Sequence, residues 1–163
     1  MEGLKMEISD SDKVTVLLHL FDQQTRSIDD RVTIEKRWFE WSTNLLLAAF
    51  AAIVALSGIN KPLPNSQSIK VIASLLVMIP AILSILRIHN TNKGMMINAF
   101  ALERIEELLH LFESGVYGEQ SPFPTDWKGT LASGFPKRKT PVYYSAIIIA
   151  MTLCVVFTIW LAL

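Results

Sequence analysis

The sequence of 163 residues lacks the features that mark several protein classes. It has one cysteine, Cys154, which excludes an intramolecular disulfide and a cysteine-based zinc cluster. It also has no excess of either charge, because fifteen Lys and Arg residues balance fifteen Asp and Glu residues. A dedicated nucleic-acid-binding domain normally has a basic surplus. We therefore expect no nucleic acid among the partners of this chain.

Catalytic patterns are missing as well. The sequence contains no Gly-rich phosphate-binding loop, nucleophile elbow or metal-ligand spacing. His19, His89 and His110 stand apart, with no cysteine or second histidine close by. The acidic pairs Asp29-Asp30 and Glu106-Glu107 consist of adjacent residues, which point to different faces of a helix. We therefore expect no enzyme, with no catalytic residue, no metal site and no cofactor.

Charge is absent from three long windows. Residues 41–60 comprise twenty uncharged residues, residues 71–86 sixteen, and residues 140–163 twenty-four. A membrane-spanning helix needs about 20 apolar residues. The second window reaches that length as 69–88, because the basic side chains at its two ends can extend to the membrane surfaces. The sequence thus predicts an all-α membrane protein with three transmembrane helices, and the lack of charge inside them argues against a proton relay or coupled transporter.

Basic residues set the expected orientation of these helices. Eleven Lys and Arg residues lie on the side of the N-terminus: four in 26–37 before the first span, three in 87–104 after the second, and four in 128–139 before the third, whereas only Lys61 and Lys70 lie at the connection between the first two spans. The N-terminus should therefore be cytoplasmic, and the 61–68 loop and the C-terminus external.

The cytoplasmic N-terminal segment, 1–40, is expected to be a helix that continues into the first span, because no Pro or Gly occurs in 12–57. Its apolar residues recur at steps of four and three and form a narrow stripe, flanked by polar residues that include Glu35. Such a stripe needs a partner helix, either in the same chain or in another subunit. The stripe consists of Val14, Leu18, Phe21, Thr25, Ile28 and Val32.

A second cytoplasmic helix is predicted over 89–115, with a stop at Ser114-Gly115. Residues 116–139 are too rich in Pro and Gly for a long helix, yet too aromatic for a free linker. We expect an ordered loop that docks through Phe123 and Trp127. The apolar face of the helix is expected to comprise Met96, Ile97, Phe100, Ala101, Ile105, Leu108, Leu109 and Phe112.

Polar residues are scarce in the spans, and those of the first span lie together at its inner end as Ser42, Thr43 and Asn44. Asn44 is the costliest of them in lipid and should face protein or water. The same span has small residues four apart, as in Ala48-x-x-x-Ala52 and Ala51-x-x-x-Ala55, a spacing that lets helices approach closely.

The order of these segments resembles a known family. A polar helix (HLFDQQTRSIDDRVTIEKRWFEW) enters span one, a helix opening NTNKGMMINAFALERIEELLHLF follows span two, and SPFPTDW and KRKTPVYY lead into the last span. Over residues 14–163 this layout looks like the small bacterial inner-membrane proteins of the RipA-type octameric family. It is also similar to the membrane effectors that accompany type VI CRISPR systems and, more distantly, to SLATT-type effectors.

The resemblance implies a homo-oligomeric ring, an octamer in that family, in the bacterial inner membrane. A pore would require several copies, because three spans cannot enclose an aqueous path alone. One hypothesis is therefore an oligomeric pore or membrane-perturbing effector in stress response or anti-phage defence, with Ser42, Thr43 and Asn44 at the pore mouth. The alternative is a non-conducting scaffold that recruits a partner. The expected partners are other copies, the lipid bilayer and an unidentified cytoplasmic protein or ligand. The expected subunit contacts are Leu18, Phe21, Ile28, Val32, Ala48, Ala52 and Ala55.

Overall fold

The computed structural model describes residues 10–57, 66–134 and 137–162, and within these ranges the chain is all-helical with no strand. Three of its helices are long and apolar enough to cross a membrane, which confirms the predicted class of all-α membrane protein. Residues 61–65 of the expected external loop lie outside the described ranges, and residues 66–68 already belong to the second helix. The helices are α1 (Asp10–Ser57), α2 (Ser66–Leu108), α3 (Thr130–Gly134) and α4 (Thr140–Ala162), with a 3₁₀ turn at Thr125–Trp127.

The first two helices are much longer than a bilayer requires. The 48-residue α1 continues from the polar N-terminal segment into the first apolar window without a break, as the absence of Pro and Gly predicted. The 43-residue α2 likewise continues past its apolar window and includes Pro80. α4 has 23 residues and is close to the length of a single span.

The chain divides into two compact units. We call residues 32–92 and 138–163 the apolar unit, and residues 1–31 and 93–137 the amphipathic unit.

The apolar unit combines parts of α1 and α2 with α4 around a small apolar core. Its outer surface is also apolar, with side chains such as Leu76, Leu153 and Phe157 about two-thirds exposed. A helix that is apolar on all sides belongs in a protein core or in lipid. The core cluster comprises Leu46, Ile53, Ala81, Ile88, Ile148, Val155 and Ile159.

The amphipathic unit has a different interior. A Cβ on Gly94 would collide with the guanidinium of Arg31, so a larger residue at this position would require the Arg31 side chain to move. The expected apolar face of the second helix is wrong in part, because Ile97, Phe100 and Leu108 are at least half exposed. Apolar residues cover a broad arc of this helix, and only those that recur at steps of three and four from Met95 are buried. The buried residues are Met95, Ala99, Leu102, Ile105, Leu109 and Phe112.

α2 ends at Leu108, six residues before the stop that Ser114-Gly115 predicted. His110 adopts a left-handed conformation with φ 54°, and its N–H donates to the Glu107 carbonyl at 3.0 Å. The Leu111 N–H donates to the Glu106 carbonyl at 3.2 Å, which completes a Schellman motif. Glycine is the usual residue at this position, and because a histidine occupies it here, the sequence did not indicate that the helix ends there.

Candidate functional site

The three residues expected at a pore mouth point to different sides of α1, because consecutive helical residues are about 100° apart. Ser42 is buried, and its hydroxyl has no hydrogen-bond partner in the part of the chain that the structure describes. The Thr43 hydroxyl donates to carbonyls of its own helix, those of Phe39 at 3.1 Å and Glu40 at 3.0 Å. Asn44 is exposed. Of the three side chains, only that of Asn44 therefore lies on the outer surface without an intrahelical bond.

Asn44 shares this surface with small residues. Counted from Asn44, four alanines follow at spacings of four, three, one and three residues, which places all five side chains within about one quarter of the helix circumference. All five are exposed. No hydrogen bond to the Asn44 amide occurs within 10–57, 66–134 and 137–162. Three of the expected subunit contacts lie on this surface. We call it the Asn44 face, and it comprises Asn44, Ala48, Ala51, Ala52 and Ala55.

The other expected subunit contacts lie nearer the start of α1. Leu18 and Val32 are 55% and 40% exposed, whereas Phe21 and Ile28 are half-buried. Leu18 and Val32 are thus only partly covered by their own chain and have apolar surface left for another partner.

A buried ion pair joins α1 to the residues just before α4. The Arg138 Nη1 lies 2.8 Å from Oε2 of Glu35, whose side chain is only 1% exposed. The sequence placed Glu35 among the polar residues that flank the apolar stripe, and in the structure its side chain is buried. It follows Val32 by three residues and so continues the four-and-three spacing of the stripe into a buried position. That spacing was the signal that could have identified it.

A histidine and a serine add a second polar contact within the apolar unit, this time between α2 and α4. The His89 Nε2 lies 3.2 Å from the Ser145 hydroxyl, which donates its hydrogen to the Pro141 carbonyl at 2.7 Å. Ser145 therefore accepts from the Nε2–H form of His89. We call Glu35, His89, Arg138 and Ser145 the polar cluster.

The charge of Glu35 is influenced by its surroundings. Burial raises the pKa of the Glu35 carboxyl above its usual 4.5, while Arg138 and then His89 act to lower it. Glu35 precedes the apolar window 41–60 and so lies outside the membrane-spanning segment. Its second oxygen, Oε1, has no hydrogen-bond partner in the described ranges. The pair is thus a costly polar contact that ties α1 to the segment leading into α4.

The two loop-docking candidates differ in their surroundings. Phe123 packs edge-to-face on Phe112 with ring centroids 5.9 Å apart, and its N–H donates to the Leu111 carbonyl at 2.9 Å. The Trp127 ring lies 6.1 Å from that of Phe123 but is 59% exposed. Tyr117 fastens the same loop through a 2.7 Å hydrogen bond from its hydroxyl to the Leu109 carbonyl. The loop is therefore tied to the end of α2 within the amphipathic unit.

The described residues contain no group of three or more His, Cys, Asp or Glu residues that could hold a metal ion. Cys154, the one cysteine, is exposed on α4. The features that the arrangement does offer are the Asn44 face and the polar cluster. In comparisons with known proteins, no protein-family model, no curated protein and no solved structure matches this chain.

Proposed function

We propose that this chain is a homo-oligomeric membrane protein whose copies meet through the Asn44 face and assemble into a pore or membrane-perturbing effector. The observation that carries the proposal is the exposed Asn44 amide, which has no hydrogen-bond partner in the described residues of its own chain. An amide in hydrocarbon without a partner costs several kcal/mol, roughly 4–8 by alkane transfer. A second copy would supply that partner.

The alanines of the same face favour a helix as the neighbour. Ala48, Ala52 and Ala55 leave the backbone of α1 accessible, so that a second helix can come close. Hydrogen bonds between such helices contribute about 0.6–2 kcal/mol each. Lipid chains would gain little from this surface, because its alanines offer them no bulky apolar side chains and because lipid chains cannot form a hydrogen bond with the Asn44 amide.

The packing of a single copy means that a pore would need several copies. The interior of the apolar unit is filled by side chains such as Leu46, Ile148 and Ile159, so one copy has no aqueous path there. Several copies around a closed axis would create one. Asn44 would then be the polar residue at its mouth, and the apolar remainder of α1 would act as a hydrophobic gate. The octamer, the cytoplasmic N-terminus and the setting in bacterial stress response or anti-phage defence are supported by layout and charge distribution alone.

The proposal is tested first by particle mass and then by ion flux. Native mass spectrometry of the full chain in lipid nanodiscs should give one closed stoichiometry of six or more copies. Liposomes containing the protein should then leak small ions, and Asn44→Leu should reduce the leak at least tenfold by removing the polar group. Asn90→Leu is the matched control, because it makes the same substitution at an exposed asparagine on α2, beyond the C-terminal end of the 71–86 window. A monomer or dimer would contradict the proposed pore.

A second candidate is a non-conducting scaffold. It is favoured by the exposed apolar side chains of Ile97, Phe100 and Leu108 in the amphipathic unit, which lie on a helix segment outside the apolar windows. A closed particle that shows no ion flux would support this function over the pore. In that case Phe100→Glu should abolish recruitment of the partner and leave the particle mass unchanged.

A further inference from the structure

A groove on the apolar unit combines arginine and tryptophan side chains from two helices. It has a volume of about 420 Å³ and is lined by Ile34, Arg37, Trp38 and Trp41 of α1 and by Arg87 of α2. This volume lies in the range of about 300–1,000 Å³ that small-molecule sites occupy.

The two arginines of the groove, Arg37 and Arg87, have no acidic partner among the residues that the structure describes. Neither guanidinium lies in an ion pair in the stretches that the structure describes, although other arginines do: Arg26 pairs with Asp22 at 2.8 Å and Arg104 with Glu107 at 3.1 Å. The groove thus holds two positive charges that no carboxylate of the described residues neutralises. An anion bound between them would be attracted by both.

The groove lies where two apolar windows end at the same membrane boundary. Arg37 precedes Trp41, the first residue of the 41–60 window, by four positions, and Arg87 directly follows the 71–86 window. The Trp38 and Trp41 rings pack edge-to-face with centroids 5.6 Å apart. Tryptophan is enriched at the headgroup level of bilayers, because its ring is apolar and its N–H is a hydrogen-bond donor.

From this geometry we propose that the groove binds the phosphate headgroup of an anionic phospholipid. Each guanidinium offers a planar pair of N–H donors that fits two phosphate oxygens. Arg37 and Arg87 bind the phosphate from two helices, while Ile34 and the Trp41 ring contact the glycerol and the first acyl carbons. Basic pockets between spanning helices bind anionic lipid headgroups in this way. The site goes beyond the proposed oligomer and does not depend on it.

Tryptophan fluorescence can measure the lipid at this site. The chain has four tryptophans, so Trp127→Phe/Trp160→Phe leaves only Trp38 and Trp41 as emitters. The full chain is placed in phosphatidylcholine vesicles that contain equal fractions of brominated phosphatidylglycerol or brominated phosphatidylcholine, and quenching gives the relative binding constant. Each arginine should favour the anionic lipid about fivefold. Equal quenching by the two lipids would overturn the proposal.

Charge-matched variants separate the site from general attraction. Arg37→Gln/Arg87→Gln should bring the ratio of the two binding constants to about one, because the preference of about fivefold that each arginine gives the anionic lipid is lost. Arg26→Gln/Arg104→Gln removes the same charge elsewhere and should retain the full preference. An unchanged ratio in the first double variant, or an equal loss in the second, would contradict the site. Should the glutamine variant misfold, as circular dichroism would show, Arg37→Lys/Arg87→Lys keeps the charge and should give an intermediate ratio, because lysine lacks the paired donors.

Free phosphate is the competing source of the same chemistry. Inorganic phosphate, added at the concentration of the brominated phosphatidylglycerol, should leave the quenching unchanged, because the lipid is held by its acyl chains as well. Displacement of the brominated lipid by inorganic phosphate would show that the groove binds the free anion, and would overturn the assignment to lipid.

Discussion

The two units of the molecule differ in the residues that they bury. In the amphipathic unit every buried residue that the structure describes is apolar, as in an ordinary water-soluble domain. In the apolar unit the outer surface is apolar, and polar residues lie inside. All the buried polar or charged residues of the described ranges are in this unit: Glu35, Ser42, Ser74, Ser84, Thr91 and Ser145.

This difference follows from the solvent of each unit. In water, burial of apolar area stabilises a fold by about 25 cal/mol per Å². Lipid provides no such drive, because its chains are as apolar as leucine, so small and polar residues can occupy helix contacts. The buried hydroxyls of Ser84 and Thr91 donate to carbonyls one turn earlier in α2, at 2.8 and 2.9 Å, so they need no partner on another helix.

The largest expected effect is on the buried ion pair of the apolar unit. Arg138→Met leaves the Glu35 carboxylate buried without its partner, and should destabilise the folded protein by about 4 kcal/mol at neutral pH. Denaturant unfolding in detergent, followed by circular dichroism, measures this. Glu35→Leu/Arg138→Met should recover most of the loss. The control is Arg26→Met, which breaks an exposed pair and should lower the free energy of unfolding by under about 1 kcal/mol. Equal losses of stability for Arg138→Met and Arg26→Met would contradict a buried pair.

The next effect compares two leucines of the same helix. Leu102 is 7% exposed in the amphipathic unit, and Leu102→Ala should cost about 3 kcal/mol because it opens a cavity. Leu83 is 57% exposed in the apolar unit, and Leu83→Ala should cost under about 1 kcal/mol in a bilayer, where lipid fills the space. Unfolding of both variants in the same lipid–detergent mixture gives the difference. Similar losses at the two positions would break the comparison between the units.

A smaller effect, of opposite sign, is expected at the end of α2. His110→Gly should stabilise the amphipathic unit by about 1 kcal/mol, because glycine adopts the left-handed conformation without strain. Thermal unfolding measures the gain. The control is His110→Ala, which removes the imidazole and its 2.9 Å pair with Glu113 but keeps the Cβ and therefore the strain. Equal stabilisation by Ala and Gly would contradict the backbone explanation.

The smallest effect is a pH dependence from Glu35. Because burial raises its folded pKa above the usual 4.5, the folded state binds the proton more tightly than the unfolded state. Glu35 therefore favours folding at low pH, and this contribution is lost as pH rises from about 4.5 through the raised pKa. The difference in stability between the native chain and Glu35→Gln should change over that pH window. A constant difference would show that Glu35 has the same pKa in both states.

Much of the fold could be predicted from the sequence. The three uncharged windows predicted α1, α2 and α4 as possible spans, because spanning length and absence of charge are properties of each segment alone. The continuity of α1 could be predicted because no helix-breaking residue occurs in it. These conclusions required no knowledge of neighbouring helices.

The features that the sequence did not predict are those set by a neighbouring residue or by an unusual backbone conformation. The burial of Glu35 depends on Arg138, which is 103 residues later in the chain. The buried side of α2 depends on the residues packed against it, such as Arg31 beside Gly94, because apolar residues cover a broad arc of this helix. The end of α2 depends on a left-handed His110, a conformation that histidine adopts far less often than glycine. The Arg37–Arg87 groove also needed the structure, because it joins two helices.

Labelling of Cys154 tests most directly whether the exposed apolar surface of the apolar unit faces lipid. This cysteine is exposed on α4, so its accessibility reports the solvent around that surface. Open membrane fragments that contain the full chain are treated with a water-soluble maleimide. Cys154 should remain unlabelled until denaturing detergent is added, whereas Glu119→Cys/Cys154→Ser, whose new thiol is in the exposed loop, should label at once. Equal labelling of the two proteins in the open fragments, before detergent is added, would contradict the account.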